Sequence, residues 1–264
     1  MATSQDTALA TEEREGHASH APRGAFIVLE GLDRSGKTTQ VKLLEKRIAE
    51  TGRAVHLMRF PDRTTPIGQM IDGYLKSNVE MDDHAIHLLF SANRWEAAYV
   101  MQRTHADDLT ADILVDRTKI RSLLASGTTV VCDRYFHSGI VYSAAKNNPS
   151  LSLSWARAPD RGLPRPDKVV FLDLEEEQAR QRGGWGGELY ERAEMQRRVR
   201  ELFLGLSRGG KSEDGAAVEG MEEGWVRNDR EDLTVVNAGG SVEEVSEAVW
   251  GVVSGVEGRE RVVD

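Results

Sequence analysis

The segment Gly31–Thr38 reads GLDRSGKT, and it constrains this chain more than any other feature in it. Its glycines let backbone N–H groups turn inward around an anion, and a following helix adds favourable potential at its N-terminus. The flanks fit that geometry. Ala25–Leu29 (AFIVL) has the length and β-branching of a buried strand, and Val41, Leu44 and Ile48 recur at helical spacing afterwards. The same strand pattern returns at Ala54–Arg59, Thr128–Cys132, Lys168–Leu174 and Leu233–Asn237. Between these lie helical stretches at Thr65–Lys76, Asp82–Trp95, up to Ser126, Gly139–Lys146, Glu175–Arg182, Tyr190–Leu206 and Val242–Val253. Pro66 suits a first helical turn and Asp82 a cap. Asn147–Pro166, with four prolines, reads as a long irregular connection. Apolar strands alternating with helices predict an α/β fold: a five-stranded parallel sheet covered on both faces. Ligands of such sheets sit beyond the carboxyl ends of the strands, here just after Leu29, Arg59, Cys132, Leu174 and Val236.

Charge narrows the partners. The net charge is −9, but residues 1–22 carry −3 and 205–232 carry −4, so the remaining body is near neutral. That is a poor footprint for long nucleic acid and leaves room for a pocket where a few arginines meet a small anion. No run approaches the roughly 20 apolar residues of a membrane helix. The single cysteine, Cys132, forms no internal disulfide and suits a reducing compartment, cytosol with nucleus also open. The first 23 residues lack an apolar leader core and read as a disordered acidic tail, with order starting near Gly24.

Several side chains in and around the loop carry chemistry. Lys37 should reach the β and γ phosphates of a triphosphate, and the Thr38 hydroxyl should ligate Mg²⁺. Gly31, Ser35, Gly36 and Thr39 complete the cradle. Asp33 sets a carboxylate beside a polyphosphate, which is costly unless it serves a second ligand, and Arg34 lies within reach of a transferring phosphoryl group. Both also fit solvated loop positions. Asp133-Arg134-Tyr135 closes the third strand: the carboxylate could hold Mg²⁺ through water and the guanidinium could clamp phosphate, though such a pair is often a surface ion pair. Phe60-Pro61-Asp62-Arg63 offers a second arginine after the second strand. Phe90 and Arg94 share a helical face, suited to stacking on a base and donating to its carbonyl. On spacing alone, Phe90 in the core and Arg94 in solvent is the better reading. The histidines show no metal-ligand spacing.

Taken together, FIVLEGLDRSGKTTQ, RFPDRTTPIGQMI, DDHAIHLLFSANRWE, DRYFHSGIVYSAAK, LPRPDKVVFLDL and RGGWGGELYE resemble the blocks of the thymidylate kinase family, in the family's order. The resemblance extends from about Gly24 to Val253. It implies one nucleoside monophosphate kinase domain over 24–264, with a lid at about 182–192. It implies transfer of the γ-phosphoryl of ATP to dTMP with Mg²⁺, and a homodimer through the helix around Asp82–Trp95. It also implies roles. Asp33 would take the deoxyribose 3′-hydroxyl; Arg63 and Arg134, beside Phe60, would hold the dTMP phosphate. Phe90 would stack on thymine and Arg94 would read a carbonyl. Ser138 and Gly139 would line the pocket, and Tyr142 would fill the place of a 2′-hydroxyl. Tyr190 and Gln196 would close over dTMP. Arg182 would lie against adenine, opposite Asn237 and Ala238. The phosphate-loop arginine, Arg34, marks the members that keep the catalytic cation there.

The chain departs from the family at the lid, where Glu188-Leu189-Tyr190-Glu191 replaces a glutamate-arginine-tyrosine-glutamate pattern, with Arg192 as a possible substitute cation. Segments about 99–117 and 208–230 are longer than usual and should project as surface insertions. The nearest alternative is a kinase for dUMP or UMP, because one methyl group is worth only about 1–3 kcal/mol. A GTP-binding switch is disfavoured by the lack of an asparagine-lysine-x-aspartate motif, and a catalytically inactive binding relative rests on Leu189 alone.

Overall fold

The computed structural model describes residues 22–98, 100–103, 114–117, 119–182, 189–190, 192–212, 214–218, 221 and 232–263. Five strands form its parallel sheet: β1 (Phe26–Gly31), β2 (Val55–Arg59), β5 (Thr129–Asp133), β6 (Lys168–Asp173) and β7 (Leu233–Asn237). Their order is β2-β5-β1-β6-β7. The register sets Leu29 beside Asp133, Arg59 beside Asp133, Gly31 beside Leu172 and Asp173 beside Asn237, so the carboxyl ends meet along one edge. That edge is where the sequence places the chemistry.

Alternation along the strands divides the core in two. Phe26, Val28, Val130, Cys132, Val169 and Phe171 face one layer, where α4 (Lys119–Ala125), α5 (Phe136–Ala144) and α8 (Ala193–Ser207) pack. Phe171 stacks on Phe203 of α8, ring centres 4.5 Å apart. Ile27, Leu29, Val131, Val170 and Leu172 face the other layer, covered by Val41, Leu44 and Ile48 of α1 (Lys37–Glu50) and Val245, Val249 and Val253 of α9 (Val242–Val253). A smaller cluster, Ile71, Tyr74, Leu75 and Ile86, joins α2 (Pro66–Leu75) to α3 (Asp83–Ala98).

Local signals explain most boundaries. Thr65 caps α2 by accepting from Gly68 N, with Pro66 in the first turn. Asp82 Oδ1 accepts from His84 N at the start of α3. Three boundaries differ from the sequence expectation. α5 begins at Phe136 rather than Gly139, because its cap is distant: Glu30 Oε1 accepts from Tyr135 N and Ser138 N. α8 begins at Ala193, leaving Tyr190 in a turn ahead of it. The connection 147–166 is not wholly irregular; Ser152 caps a short α6 (Leu153–Arg157), whose Leu153 and Ala156 are buried, and a 3-10 turn Ala158–Asp160 follows. Within the first long segment, β3 (Val100–Arg103) pairs antiparallel with β4 (Leu114–Arg117). Within the second, Lys211 bridges to Ala217 and Met221 packs against the core. The helix α7 (Glu176–Gln181) leads into the lid, of which residues 183–188 and 191 lie outside the described residues.

Candidate active site

The turn between β1 and α1 is shaped for an anion. Gly36 caps α1 in the left-handed region (φ 91°) and, having no side chain, makes no side-chain cap to its first-turn N–H groups. Lys37 Nζ donates to Gly31 O and Leu32 O at 3.1 and 2.6 Å. Burial, and next the charge of Arg134, pull its pKa down to about 8. Thr38 Oγ1 donates to Asp133 Oδ2 at 3.0 Å, which brings a hydroxyl and a strand-end carboxylate together at the loop. Ser35 is buried and Thr39 exposed. Arg34 stands at the crest with φ 68°, a costly backbone state for a non-glycine residue. Its carbonyl accepts from Arg182 Nη1 at 3.1 Å, while Arg182 Nη2 donates to Ala238 O at 2.8 Å. Arg182 therefore ties the loop to the end of β7, where Asn237 Oδ1 accepts from Gly239 N.

Beside this loop lies a cavity of about 210 Å³. Phe60, Pro61 and Arg63 form one wall; Phe90 and Arg94 of α3 form another; Arg134, Ser138, Gly139 and Tyr142 form the third. Tyr190 closes one side, 5.5 Å from the Tyr142 ring, and Asp33 stands where cavity and loop meet. Every acceptor-side residue expected from the sequence borders this space except Gln196. Gln196 is fully buried and grips Asp33 instead: Nε2 donates to Asp33 Oδ2 at 2.9 Å and Oε1 accepts from Asp33 N at 3.1 Å. The same Nε2 also donates to Tyr190 O at 2.8 Å, so one amide links the phosphate loop to the lid end.

The charges of the cavity are organised in pairs. Arg134 Nη2 donates to Asp33 Oδ1 at 2.6 Å and Nη1 to Ser138 Oγ at 3.1 Å, and its guanidinium lies 5.1 Å from the Tyr142 ring. Burial works against the Asp33 carboxylate, but Arg134, Lys37 and Gln196 outweigh it and hold its pKa low. Like Arg34, Arg134 has φ 68°, so the phosphate loop and the end of β5 each carry an arginine in a strained backbone state. Arg63 Nη1 donates to Asp72 Oδ1 of α2 at 2.6 Å. Arg94, only 2% exposed, makes a two-pronged pair with Asp160, Nε to Oδ1 at 3.0 Å and Nη2 to Oδ2 at 2.6 Å. Gly139 makes room for it, since a Cβ there would lie 2.7 Å from Arg94 Nη2.

Three supports were not read from the sequence. Glu30, fully buried, accepts from Tyr135 N, Ser138 N and Ser138 Oγ. Asp160 holds Arg94. Asn93 accepts from Asp62 N at 2.7 Å and donates back to Asp62 O, fixing the loop that follows β2 and its cis Phe60–Pro61 peptide. At the lid, Leu189 packs against the α2–α3 cluster and its N–H donates to Leu75 O at 2.9 Å. Arg192 borders a separate groove with Tyr74, Asp83 and Lys146, and no phosphate-loop residue lines that groove.

Comparison with known proteins agrees with this geometry. A thymidylate kinase family model matches residues 29–213. A thymidylate kinase of Arabidopsis thaliana is 39% identical over 236 residues, covering 89% of this chain and 73% of that protein. One of Schizosaccharomyces pombe is 40% identical over 235 residues, covering 89% and 93%. One of Homo sapiens is 42% identical over 183 residues, covering 69% and 76%. The solved structure of thymidylate kinase from Candida albicans, described as revealing the origin of broad substrate specificity and a novel structural element, superposes with TM-score 0.70 at 30% identity. It covers 92% of this chain and all of that one.

Proposed function

This chain belongs to the thymidylate kinase family, and from that premise we propose how its two halves share the work of an ATP:dTMP phosphotransferase. It transfers the γ-phosphoryl of ATP to dTMP, giving ADP and dTDP. ATP occupies the turn Gly31–Thr39 with its polyphosphate on Lys37, and its adenine lies against the face formed by Arg182 and the Asn237–Ala238 turn it is bonded to. dTMP occupies the cavity, its base on Phe90, its phosphate between Arg63 and Arg134, with Tyr142 against C2′ of the sugar. The Arg134–Asp33 pair carries this reading. At 2.6 Å it fastens the acceptor cavity directly to the phosphate loop, so two ligands seated in them meet end to end.

No general base is required. A phosphate monoester has a second pKa near 6 and is mostly dianionic at neutral pH, hence already nucleophilic. Catalysis then consists of alignment and of positive potential where charge spreads in the transition state. Lys37, Arg34 and Arg134 supply that potential. Asp33 keeps lone pairs beyond those used by Arg134 and Gln196, which lets it accept from the 3′-hydroxyl. The Thr38 hydroxyl and the Asp133 carboxylate, 3.0 Å apart at the loop, fit Mg²⁺, which in kinases relies on one or two protein oxygens plus phosphates and water. Bound there, the ion would neutralise charge on the phosphates. Closure of the lid would keep water from competing for the phosphoryl group.

The test is a coupled ADP-release assay across nucleoside monophosphates with ATP or GTP as donor. dTMP with ATP should give the highest kcat/KM, with dUMP lower by about 10–200-fold. Preference for UMP, or turnover that ignores the acceptor, would redirect the assignment. A homodimer through α3 belongs to the same proposal, and Leu88 on that helix is 47% exposed.

A further inference from the structure

Arg94 is the most deeply placed cation of the acceptor cavity, and it differs from its partners there. Arg134 and Arg63 pair with carboxylates that are themselves partly accessible, with side chains 29% and 23% exposed. Asp160, which pairs with Arg94, is wholly buried and does not border the cavity. Its grip is geometric. Two parallel N–H···O bonds occupy the Nε–Nη2 edge of the guanidinium and fix its plane. Ser91 Oγ donates to Asp160 Oδ1 at 2.8 Å and also to Pro159 O, and Trp95 Nε1 donates to Pro159 O at 2.7 Å. The same helix that presents Arg94 thus holds the short turn that presents Asp160. With one edge occupied and Gly139 pressed against Nη1 and Nη2, the Nη1 end borders the cavity, and Nη1 donates to no protein atom among the described residues.

We infer that Asp160 is a positioning residue for base selection: it locks Arg94 so that only a donor-only Nη1 end, already neutralised by a buried counter-charge, meets the base. This deepens the proposed dTMP kinase reading and rests on it. A guanidinium end donates and never accepts, so a base carrying a carbonyl at that point is satisfied and one carrying an exocyclic amine is not. Neutralisation matters as much as orientation. An unpaired arginine at the base end would compete with Arg63 and Arg134 for the substrate phosphate, whereas Asp160 removes that attraction and gives the cavity a polarity. The partner class selected is a pyrimidine monophosphate with a 4-carbonyl.

The experiment compares wild type, Asp160→Asn and Ser91→Ala in steady-state kinetics with dTMP and with 5-methyl-dCMP, which keeps the methyl group and exchanges the 4-carbonyl for an amine. Asp160→Asn should raise the KM for dTMP about tenfold with kcat within about threefold, and lower the dTMP over 5-methyl-dCMP preference about tenfold, with the KM for ATP unchanged. Ser91→Ala keeps the ion pair and should shift both quantities the same way by about threefold. If Asp160→Asn does not fold, Ser91→Ala decides alone. Unchanged dTMP KM and unchanged preference, or a loss shared equally by ATP and both pyrimidines, overturns the inference. Wild type that fails to turn over dTMP would sink the functional reading instead, before any variant is compared.

Discussion

The two ends of the cleft are built on opposite electrostatic plans. At the base end, Arg94 is buried with its counter-ion, bonded twice to Asp160 and framed by Gly139. At the phosphate end, Lys37 is also buried but hydrogen-bonds only to the carbonyls of Gly31 and Leu32 among the described residues; burial and then Arg134 lower its pKa to about 8, and Asp33, Asp133 and Glu30 offset this only in part. The base end is complete within the protein and its charge contributes to a defined fold. The phosphate end holds a desolvated cation that Asp33, Asp133 and Glu30 compensate only in part, so the ligand supplies the rest. Selectivity is thus expected from a rigid, prepaired region, and turnover from a region that stores unfavourable charge until polyphosphate arrives.

Substitutions at the two ends should therefore separate. The largest effect belongs to Lys37→Met: kcat should fall by about a thousandfold or more, read by coupled ADP release, while the unfolding free energy in denaturant titration stays level or rises. A marked loss of stability in Lys37→Met would break the contrast. Arg34→Ala should lower kcat by about a hundredfold with dTMP affinity unchanged by titration calorimetry; equal turnover would remove Arg34 from the mechanism. Asp160→Asn should show the reverse signature in stability, losing about 3 kcal/mol because Arg94 is left buried without its counter-charge.

The smallest effect is a pH dependence with a definite sign. Lys37 in the free protein gives up its proton around pH 8, whereas bound polyphosphate keeps it protonated. Binding of ATP should therefore take up a proton above that pH. Affinity should be full below about pH 8 and fall by about tenfold per unit above it, which calorimetry in buffers of different ionisation enthalpy reads directly. A flat profile to pH 9.5 would mean that Lys37 stays charged without its ligand.

The contrast also explains what could be read from the sequence. The phosphate end is written locally: eight consecutive residues with a strand before and a helix after, so Gly31 to Thr38 were legible together with the five strands that align their carboxyl ends. The walls of the acceptor cavity were legible through the family's motif blocks rather than through spacing, which left Phe90 and Arg94 looking like core and solvent. The supports were not legible. Glu30 serves Tyr135 and Ser138 from 105 and 108 residues away, and Asp160 lies 66 residues from Arg94. A buried carboxylate with a distant partner leaves no periodicity or motif of its own. The same non-locality moved the start of α5, whose cap comes from Glu30 on another element. Gln196 was expected to close over dTMP from the lid; it lies one layer behind the cavity because its amide satisfies both the carboxylate and the N–H of Asp33.

A crystal structure of the protein with dTMP and ADP bound together tests the central claim most directly. The account expects ADP phosphates in the Gly31–Thr38 turn, dTMP with its base on Phe90 and its 4-carbonyl at Arg94 Nη1, and the dTMP phosphate between Arg63 and Arg134, pointing at the terminal ADP phosphate. A dTMP seated outside this cavity, or seated with its phosphate at Arg94, would contradict it.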